Sequence, residues 1–491
     1  MLIRNTLYNL LGLGLPLLVA IGSMPVLIHS LGDARFGVLT LIWAVVSYFG
    51  LFDLGLGRAL TQQLSVLIAE KREHDIPPLV YTSFLLLAGL GMFAGVLMWW
   101  GATWGAQRIF YNGDTTEIVG SIRVMAVGMP FIVLTSALRG ILEAKSAFGI
   151  INLIRLPMGI FTFIGPLVVV LWYKNDLAAI TVVLTLGRVV ACVVHAYYVV
   201  RTLPGIFDDR RYSPELVKTL LVSGGWMTVS NIISPLMGYL DRFLIGVTIS
   251  AAAVAYYVTP NEMMTKLWII PSALTAVLFP KFALDIASNS SNSAKLFKQA
   301  VSLLFLIIYP LTLFCALFSK EILQIWIGHA FAAQSYVVMQ IFAFGILINC
   351  LAHIPFVLIQ SAGKSKITAI IHVVEFIPFA IILWLFSTNF GILGAALAWL
   401  LRMMVDTVIM FTFVGSVIKK EKYQYVKIIF LGCLVVPSFL AGGLSMPLIK
   451  GAIFLFTCGL AVLYSWYFIA TKEERYWLAQ KMKLTLNYNK L

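Results

Sequence analysis

Long stretches of apolar residues, separated by short polar and charged clusters, run through the chain from end to end. Inside the stretches there is no two-residue alternation, so they predict helices that are apolar all round and not the strands of a barrel. About 20 residues cross a bilayer as a helix. On that measure the pattern predicts fourteen spans, near 7–31, 37–59, 79–103, 118–142, 151–173, 178–202, 220–249, 253–280, 299–319, 334–361, 368–388, 393–415, 428–447 and 451–470. The expected fold class is an all-α polytopic membrane protein. The first stretch has one early cation, Arg4, and no small-x-small cleavage site, so it is expected to be a span and not a removed signal.

The connections alternate in charge. One set, including Arg4, Lys71, Arg72, Lys145, Arg210, Arg211, Lys364, Lys419, Lys420 and Lys490, carries 22 of the 35 cations. The opposite set carries five: Arg35, Arg108, Lys174, Lys320 and Lys450. The positive-inside rule then places both termini in the cytoplasm, as an even number of spans requires.

Three short similarities recur at nearly one offset. Leu142–Ser146 matches Ser361–Ser365, Asp176–Ala179 matches Leu393–Ala396, and Leu31–Val38 falls at the same turn as Ile249–Tyr256, at offsets of 219, 217 and 218. Two parallel copies of six helices follow, related by an axis along the membrane normal. The expected organisation is an N-terminal lobe at 1–202, a cytoplasmic linker at 203–219 and a C-terminal lobe at 220–415. Two additional helices at 428–470 and a cytoplasmic tail at 471–491 complete it.

Composition narrows the class. The chain is 60% hydrophobic and 11% charged, with a mean hydropathy of +0.95. Soluble domains carry about 25% charged residues, which excludes a soluble globule. The net charge of +14 resides mainly in the cytoplasmic loops, so no nucleic-acid partner is implied. The five cysteines lie in apolar runs without CxxC spacing, so neither disulfides nor a metal site is expected. No HExxH, zinc spacing or GxSxG motif is present. Ala362-Gly363-Lys364-Ser365 imitates the end of a phosphate-binding loop, but Leu358 stands where its first glycine belongs. No enzyme activity or cofactor is expected, and any active transport must draw on an ion gradient or on the substrate's own.

The charges left inside spans carry the functional expectation, because each is costly there unless it meets a partner or a watery cavity. Asp53 lies in a glycine-flanked stretch, Gly50 to Gly57, that ends at Arg58. Arg139 and Glu143, Glu262 and Lys266, and Arg402 and Asp406 are spaced i,i+4 and are expected to neutralise each other. Arg123, Arg155 and Arg188 have no carboxylate within a turn. Arginine's planar fork of donors suits phosphate, so Arg58, Arg123, Arg155, Arg188 and Arg242 are the candidate ligands for an anionic head group. Glu375, three residues after His372 and three before Pro378, is the candidate for coupling to H⁺ or Na⁺, with Asp53 ranked second. Twelve prolines fall within spans and are expected to kink them.

With these residues assembled, the chain resembles the polysaccharide (O-antigen, Wzx-type) flippases of the multidrug/oligosaccharidyl-lipid/polysaccharide exporter superfamily. The features that carry the resemblance are Leu31-Gly32 to Gly37, Phe52-Asp53-Leu54-Gly55-Leu56, Asp241-Arg242-Phe243-Leu244-Ile245-Gly246, and Gly391 to Ala396. The resemblance implies two six-helix bundles in a V around a cavity that opens alternately to either side. It also implies movement of an undecaprenyl-pyrophosphate-linked oligosaccharide across a bacterial inner membrane, with a polysaccharide polymerase and chain-length proteins as partners. Fourteen spans are also the count in related lipid II flippases, which keeps that substrate open. A multidrug exporter of the same fold would favour an acidic, aromatic cavity. A membrane polymerase or ligase would need a large catalytic outer loop, and the outer loops near 104–117 and 320–333 are short.

Overall fold

The computed structural model describes residues 2–48, 56–109, 115–145, 147–173, 176–206, 211–218, 237–287, 292–418, 444 and 446–464. The helices are α1 (Leu2–Tyr48), α2 (Leu56–Ala69), α3 (Ile76–Ile109), α4 (Thr116–Ala144), α5 (Phe148–Trp172) and α6 (Leu177–Thr202). Next come α7 (237–248), α8 (Ala251–Thr265), α9 (Ile269–Ala287), α10 (Asn292–Leu317) and α11 (Ser319–Trp326). The last three are α12 (His329–Ser361), α13 (Ser365–Val414) and α14 (Pro447–Tyr464). Among the described residues there is no strand, and nine helical stretches are long and apolar enough to cross a membrane. The chain is an all-α, multi-pass membrane protein. The expected span at 428–447 lies almost wholly outside the described residues, and the one at 220–249 is described only from Met237 onward.

Two helices are too long for one crossing. With 47 and 50 residues, α1 and α13 would each extend roughly 70 Å or more if straight, against about 30 Å of hydrocarbon. Each is folded at one glycine with positive φ: Gly32 (φ 77°) in α1 and Gly391 (φ 61°) in α13. A side chain is disfavoured in that backbone region, so these two residues are where a span can reverse without a longer loop. The backbone does not break at the prolines: Pro16, Pro25, Pro130, Pro157, Pro166, Pro260, Pro310, Pro355 and Pro378 all sit inside continuous helix. The expected span at 253–280 is interrupted instead by a 3-10 turn at Lys266–Trp268, just after the Glu262–Lys266 ion pair at 2.9 Å.

The chain forms two compact units, 1–258 and 259–491. This division falls later than the linker expected at 203–219, whose described part packs on the first unit. Ile206 is buried there, Leu203 and Leu216 rest on the same apolar cluster, and the Ser213 amide donates to Thr82 Oγ1 at 3.2 Å. In the first unit α4 is central, packed by α3, α6 and α2. Gly91 and Gly95, one turn apart on α3, lie where a Cβ would stand 2.7 Å from Pro130 Cα and 2.6 Å from the Ala126 carbonyl. Such small-residue seams allow the backbone proximity that holds membrane helices together, since lipid offers no hydrophobic gain for association. In the second unit α12 is central, against α13, α10, α11 and α9, with Phe342 edge-on to Trp399 at 5.0 Å.

Contacts within each unit join ends that the charge alternation puts on the same face. Arg35 pairs with Glu117 at 3.0 Å, and Glu117 also accepts from the Leu177 amide at 2.6 Å. Lys450, fully buried at the start of α14, bonds both carboxylate oxygens of Glu321 on α11 at 2.7 and 3.0 Å. Trp99, Trp100, Trp104, Trp172, Tyr173 and Trp384 are exposed at that same end of their helices, the level where amphipathic rings meet lipid head groups. In the connections near 104–117 and 320–333 the described residues are largely helical, because α3 runs to Ile109 and α11 and α12 fill the second.

Candidate functional site

The arginines of the first unit stand at different depths. At 1.5 Å per residue, Arg155 lies about 10 Å from the Phe148 end of α5, Arg188 about 21 Å from the Thr202 end of α6, and Arg123 about 32 Å from the Ala144 end of α4, ends that the charge alternation puts on one face. Helices α5 and α6 pack on each other, and α6 packs on α4. Arg155 is exposed and Arg188 half-buried, and neither has a hydrogen-bond or ion-pair partner among the described residues. Arg123 differs: its guanidinium lies 5.4 Å from the centre of the Trp99 ring, at the level of the exposed aromatic residues. Arg242 differs again. It is buried, its guanidinium is 4.4 Å from the Tyr239 ring, and its backbone amide donates to Asp241 Oδ1 at 2.8 Å. Arg58 falls within α2, but its side chain, like the whole of Asp53, lies outside the described residues.

In the second unit Glu375 is not the lone carboxylate that local spacing suggests. The fold at Gly391 returns the second arm of α13 alongside the first, and brings Arg402 and Asp406 within electrostatic reach of Glu375. His372 Nε2 is 3.9 Å from Asp406 Oδ1, the Arg402 guanidinium is 5.1 Å from the Phe379 ring, and the His372 ring stacks on Phe356 of α12 at 6.2 Å. Glu375 and Asp406 are each only 8% exposed. Neither oxygen of Glu375, nor Oδ1 of Asp406, has a hydrogen-bond partner among the described residues. Three orphaned acceptor oxygens in an apolar setting are an expensive arrangement, and a proton or a small cation is what would relieve it. Among the described residues no three His, Cys, Asp or Glu side chains gather as metal ligands.

Of the three local pairs, Arg139–Glu143 at 3.2 Å and Glu262–Lys266 are formed as spaced. Asp406 is drawn into the larger group. Local spacing missed a further set of contacts, because the donors are tyrosines. Adjacent residues Tyr256 and Tyr257 on α8 donate to two different carboxylates, Asp33 and Asp241, the latter at 2.7 Å.

Comparison with known proteins agrees with this architecture. The family model described as "Polysaccharide biosynthesis protein" matches residues 27–335. A Shigella flexneri protein described as "Putative O-antigen transporter" is 33% identical over 414 residues, which cover 83% of this chain and 96% of that one. Among solved structures, an inward-facing multidrug resistance MATE family transporter of the MOP superfamily aligns with a TM-score of 0.71 at 14% identity, over 85% of this chain and 96% of that one. The inward closed form of the lipid II flippase MurJ aligns at 0.64 and 14% identity, over 94% and 98%. At such identities these two structures share the fold. The family match and the Shigella relative go further: the chain is a member of the polysaccharide biosynthesis protein family.

Proposed function

We propose that the protein is a flippase that moves an undecaprenyl-pyrophosphate-linked oligosaccharide from the cytoplasmic to the outer leaflet of a bacterial inner membrane, for O-antigen or a related surface polysaccharide. Family membership supports transport of a polysaccharide precursor. One structural observation favours a pyrophosphate-bearing substrate: Arg155 and Arg188 stand inside the spans of neighbouring helices with no protein counter-ion among the described residues. Arg188 is half-buried, and the desolvation of its guanidinium costs free energy that a phosphate ligand offsets. Their separate depths give a dianionic head group successive points of attachment along the first lobe, with Arg58 as a further ligand. Arg123, stacked on Trp99, acts at the outer head-group level, and Arg242 supports the packing of α7.

In this reading the lobes at 1–202 and 220–415 alternate access to the substrate, and helices at 428–470 are an addition to that repeat. Glu375, joined by Asp406 and Arg402, is the coupling site for H⁺ or Na⁺, and Asp53 is the competing candidate. A polymerase and chain-length proteins receive the product.

Purified protein in proteoliposomes is expected to move a labelled polyprenyl-pyrophosphate oligosaccharide between leaflets. Export of lipophilic cations with no movement of the lipid-linked sugar would overturn the proposal in favour of a multidrug exporter. Orientation has its own check. Reporter fusions after Lys71 and Lys490 are expected to behave as cytoplasmic, and one after Asp114 as periplasmic; an outer signal from the Lys490 fusion would reverse the assignment.

A further inference from the structure

The interruption between α8 and α9 has a cause in the sequence. Pro271 has no amide to offer the carbonyl of Leu267, and its ring crowds that carbonyl. The chain tightens there into the 3-10 turn at Lys266–Trp268. The turn lies deep in the span. Lys266 is fifteen residues from Ala251, where α8 begins, and fifteen from Lys281, which follows the expected span. At the helical rise that is about 22 Å in each direction.

The Glu262–Lys266 pair stands at this interruption and is not enclosed: the Lys266 side chain is 40% exposed and that of Glu262 25%. Hydrocarbon does not tolerate charges so exposed at mid-depth, and Lys266 is too far from either surface for its stem to carry the ammonium to a head group. The pair therefore faces water. Thr259, Glu262 and Lys266 follow at steps of three and four residues and share one face of the helix. At the two ends of this stripe, Thr259 Oγ1 and Trp268 Nε1 are buried without a hydrogen-bond partner among the described residues. Such groups are costly unless water or a ligand reaches them.

The chemistry of the stripe differs from that of the first unit. Arg155 and Arg188 offer positive charge alone, whereas Glu262 and Lys266 cancel. Lys266 gives one of its three N–H donors to Glu262 at 2.9 Å and keeps two. With the hydroxyl of Thr259 and the half-buried indole of Trp268, the stripe offers donors and acceptors together beside an aromatic ring. That mixture matches a hydroxyl-rich, uncharged ligand, and the carboxylate of Glu262 repels a phosphate.

We propose that Thr259, Glu262, Lys266 and Trp268 form the carbohydrate subsite of the transporter, which holds the oligosaccharide while the arginines hold the pyrophosphate. The inference rests on the transport reading above. Thr265→Cys, half-buried beside Lys266, is the reporter. A small water-soluble thiol reagent is expected to label it well above the native cysteines. Saturating polyprenyl-pyrophosphate oligosaccharide should slow that labelling several-fold, and polyprenyl pyrophosphate without sugar should not. Absence of labelling overturns the proposal, because the face is then dry. Equal protection by the two lipids, or none by either, overturns it as well.

A second measurement compares two substrates. Glu262→Gln with Lys266→Gln removes both charges, and Trp268→Phe removes the indole N–H. In each variant the rate for the full oligosaccharide, relative to that for a lipid bearing one sugar, is expected to fall several-fold. An unchanged ratio in both variants removes the subsite and leaves the transport function standing. Failure of the wild type to translocate either lipid would instead remove the transport reading.

Discussion

Glu375→Gln is expected to remove the stimulation that an imposed pH or Na⁺ gradient gives to translocation, while leaving slow, gradient-independent movement in place. The reason is a count of charge in a buried place. Glu375 and Asp406 carry two carboxylates, Arg402 supplies one fixed cation, and His372 lies near Asp406. With the imidazole neutral, the group is one positive charge short, and a buried uncompensated charge costs several kcal/mol. One proton or one monovalent cation completes it. Both arms of α13 contribute, so gain or loss of that charge acts on how closely the arms pack, and hence on which conformation is favoured. Coupling between sites in proteins typically amounts to 1–3 kcal/mol, so a loss of roughly 5- to 150-fold in gradient-driven rate is the scale to look for. Glutamine keeps the shape of the side chain and removes the exchangeable charge. Asp406→Asn should act in the same direction and Asp53→Asn should not. Full gradient stimulation retained by Glu375→Gln would show that the buried acid is structural, and the same result moving to Asp53→Asn would shift the coupling to the first lobe.

That group was partly legible in the chain. Glu375 stands sixteen residues before Gly391 and Asp406 fifteen after it, while Phe379 stands twelve before and Arg402 eleven after. A helix folded back at Gly391 therefore brings Glu375 level with Asp406, and Phe379 level with Arg402. Spacing rules for a single helix look only three or four residues away and left Glu375 isolated. The reversal itself was expected between the spans at 368–388 and 393–415; the missing step was to count outward from it along both arms and pair residues at equal distances.

Elsewhere the legible part was what hydrophobic run length controls, namely the described helices and their order. The helices continue through their prolines, because a membrane helix can keep its path there when neighbouring helices or waters meet the freed carbonyl. The breaks within α1 and α13 fall at glycine in the left-handed region. The junction at Asp33 and Tyr256 was hidden for a different reason. Its partners are 223 positions apart, and tyrosine in a span carries no charge to call attention to it. The same holds for Lys450, which reads as a loop cation and is fully buried on Glu321. Which surface a cation touches is decided by packing between helices, and the charge pattern records only the side of the membrane.

Arg155→Ala together with Arg188→Ala is expected to reduce translocation of the lipid-linked oligosaccharide far more than either change alone reduces the protein's abundance. Neither side chain has a hydrogen-bond or ion-pair partner among the described residues, so their removal breaks no described ion pair and the fold has little to lose. A hydrogen bond to a charged group contributes about 1.5–3 kcal/mol, which makes each arginine worth roughly ten- to hundred-fold in a step where it holds the pyrophosphate. Arg188→Lys discriminates the chemistry, because lysine keeps the charge but loses the two-pronged geometry; intermediate activity is expected from it, and near-total loss from Arg188→Gln. Depth adds an asymmetry between the two sites. Arg155, near the inner end of α5, meets the head group first and should govern the concentration of substrate needed. Arg188, near the middle of α6, should govern the maximal rate. Competition with inorganic pyrophosphate from the inner side is then expected to weaken in Arg155→Ala and to persist in Arg188→Ala. Wild-type translocation by the double alanine variant at equal protein level would show that the phosphate is held elsewhere, and would turn attention to Arg58 on α2.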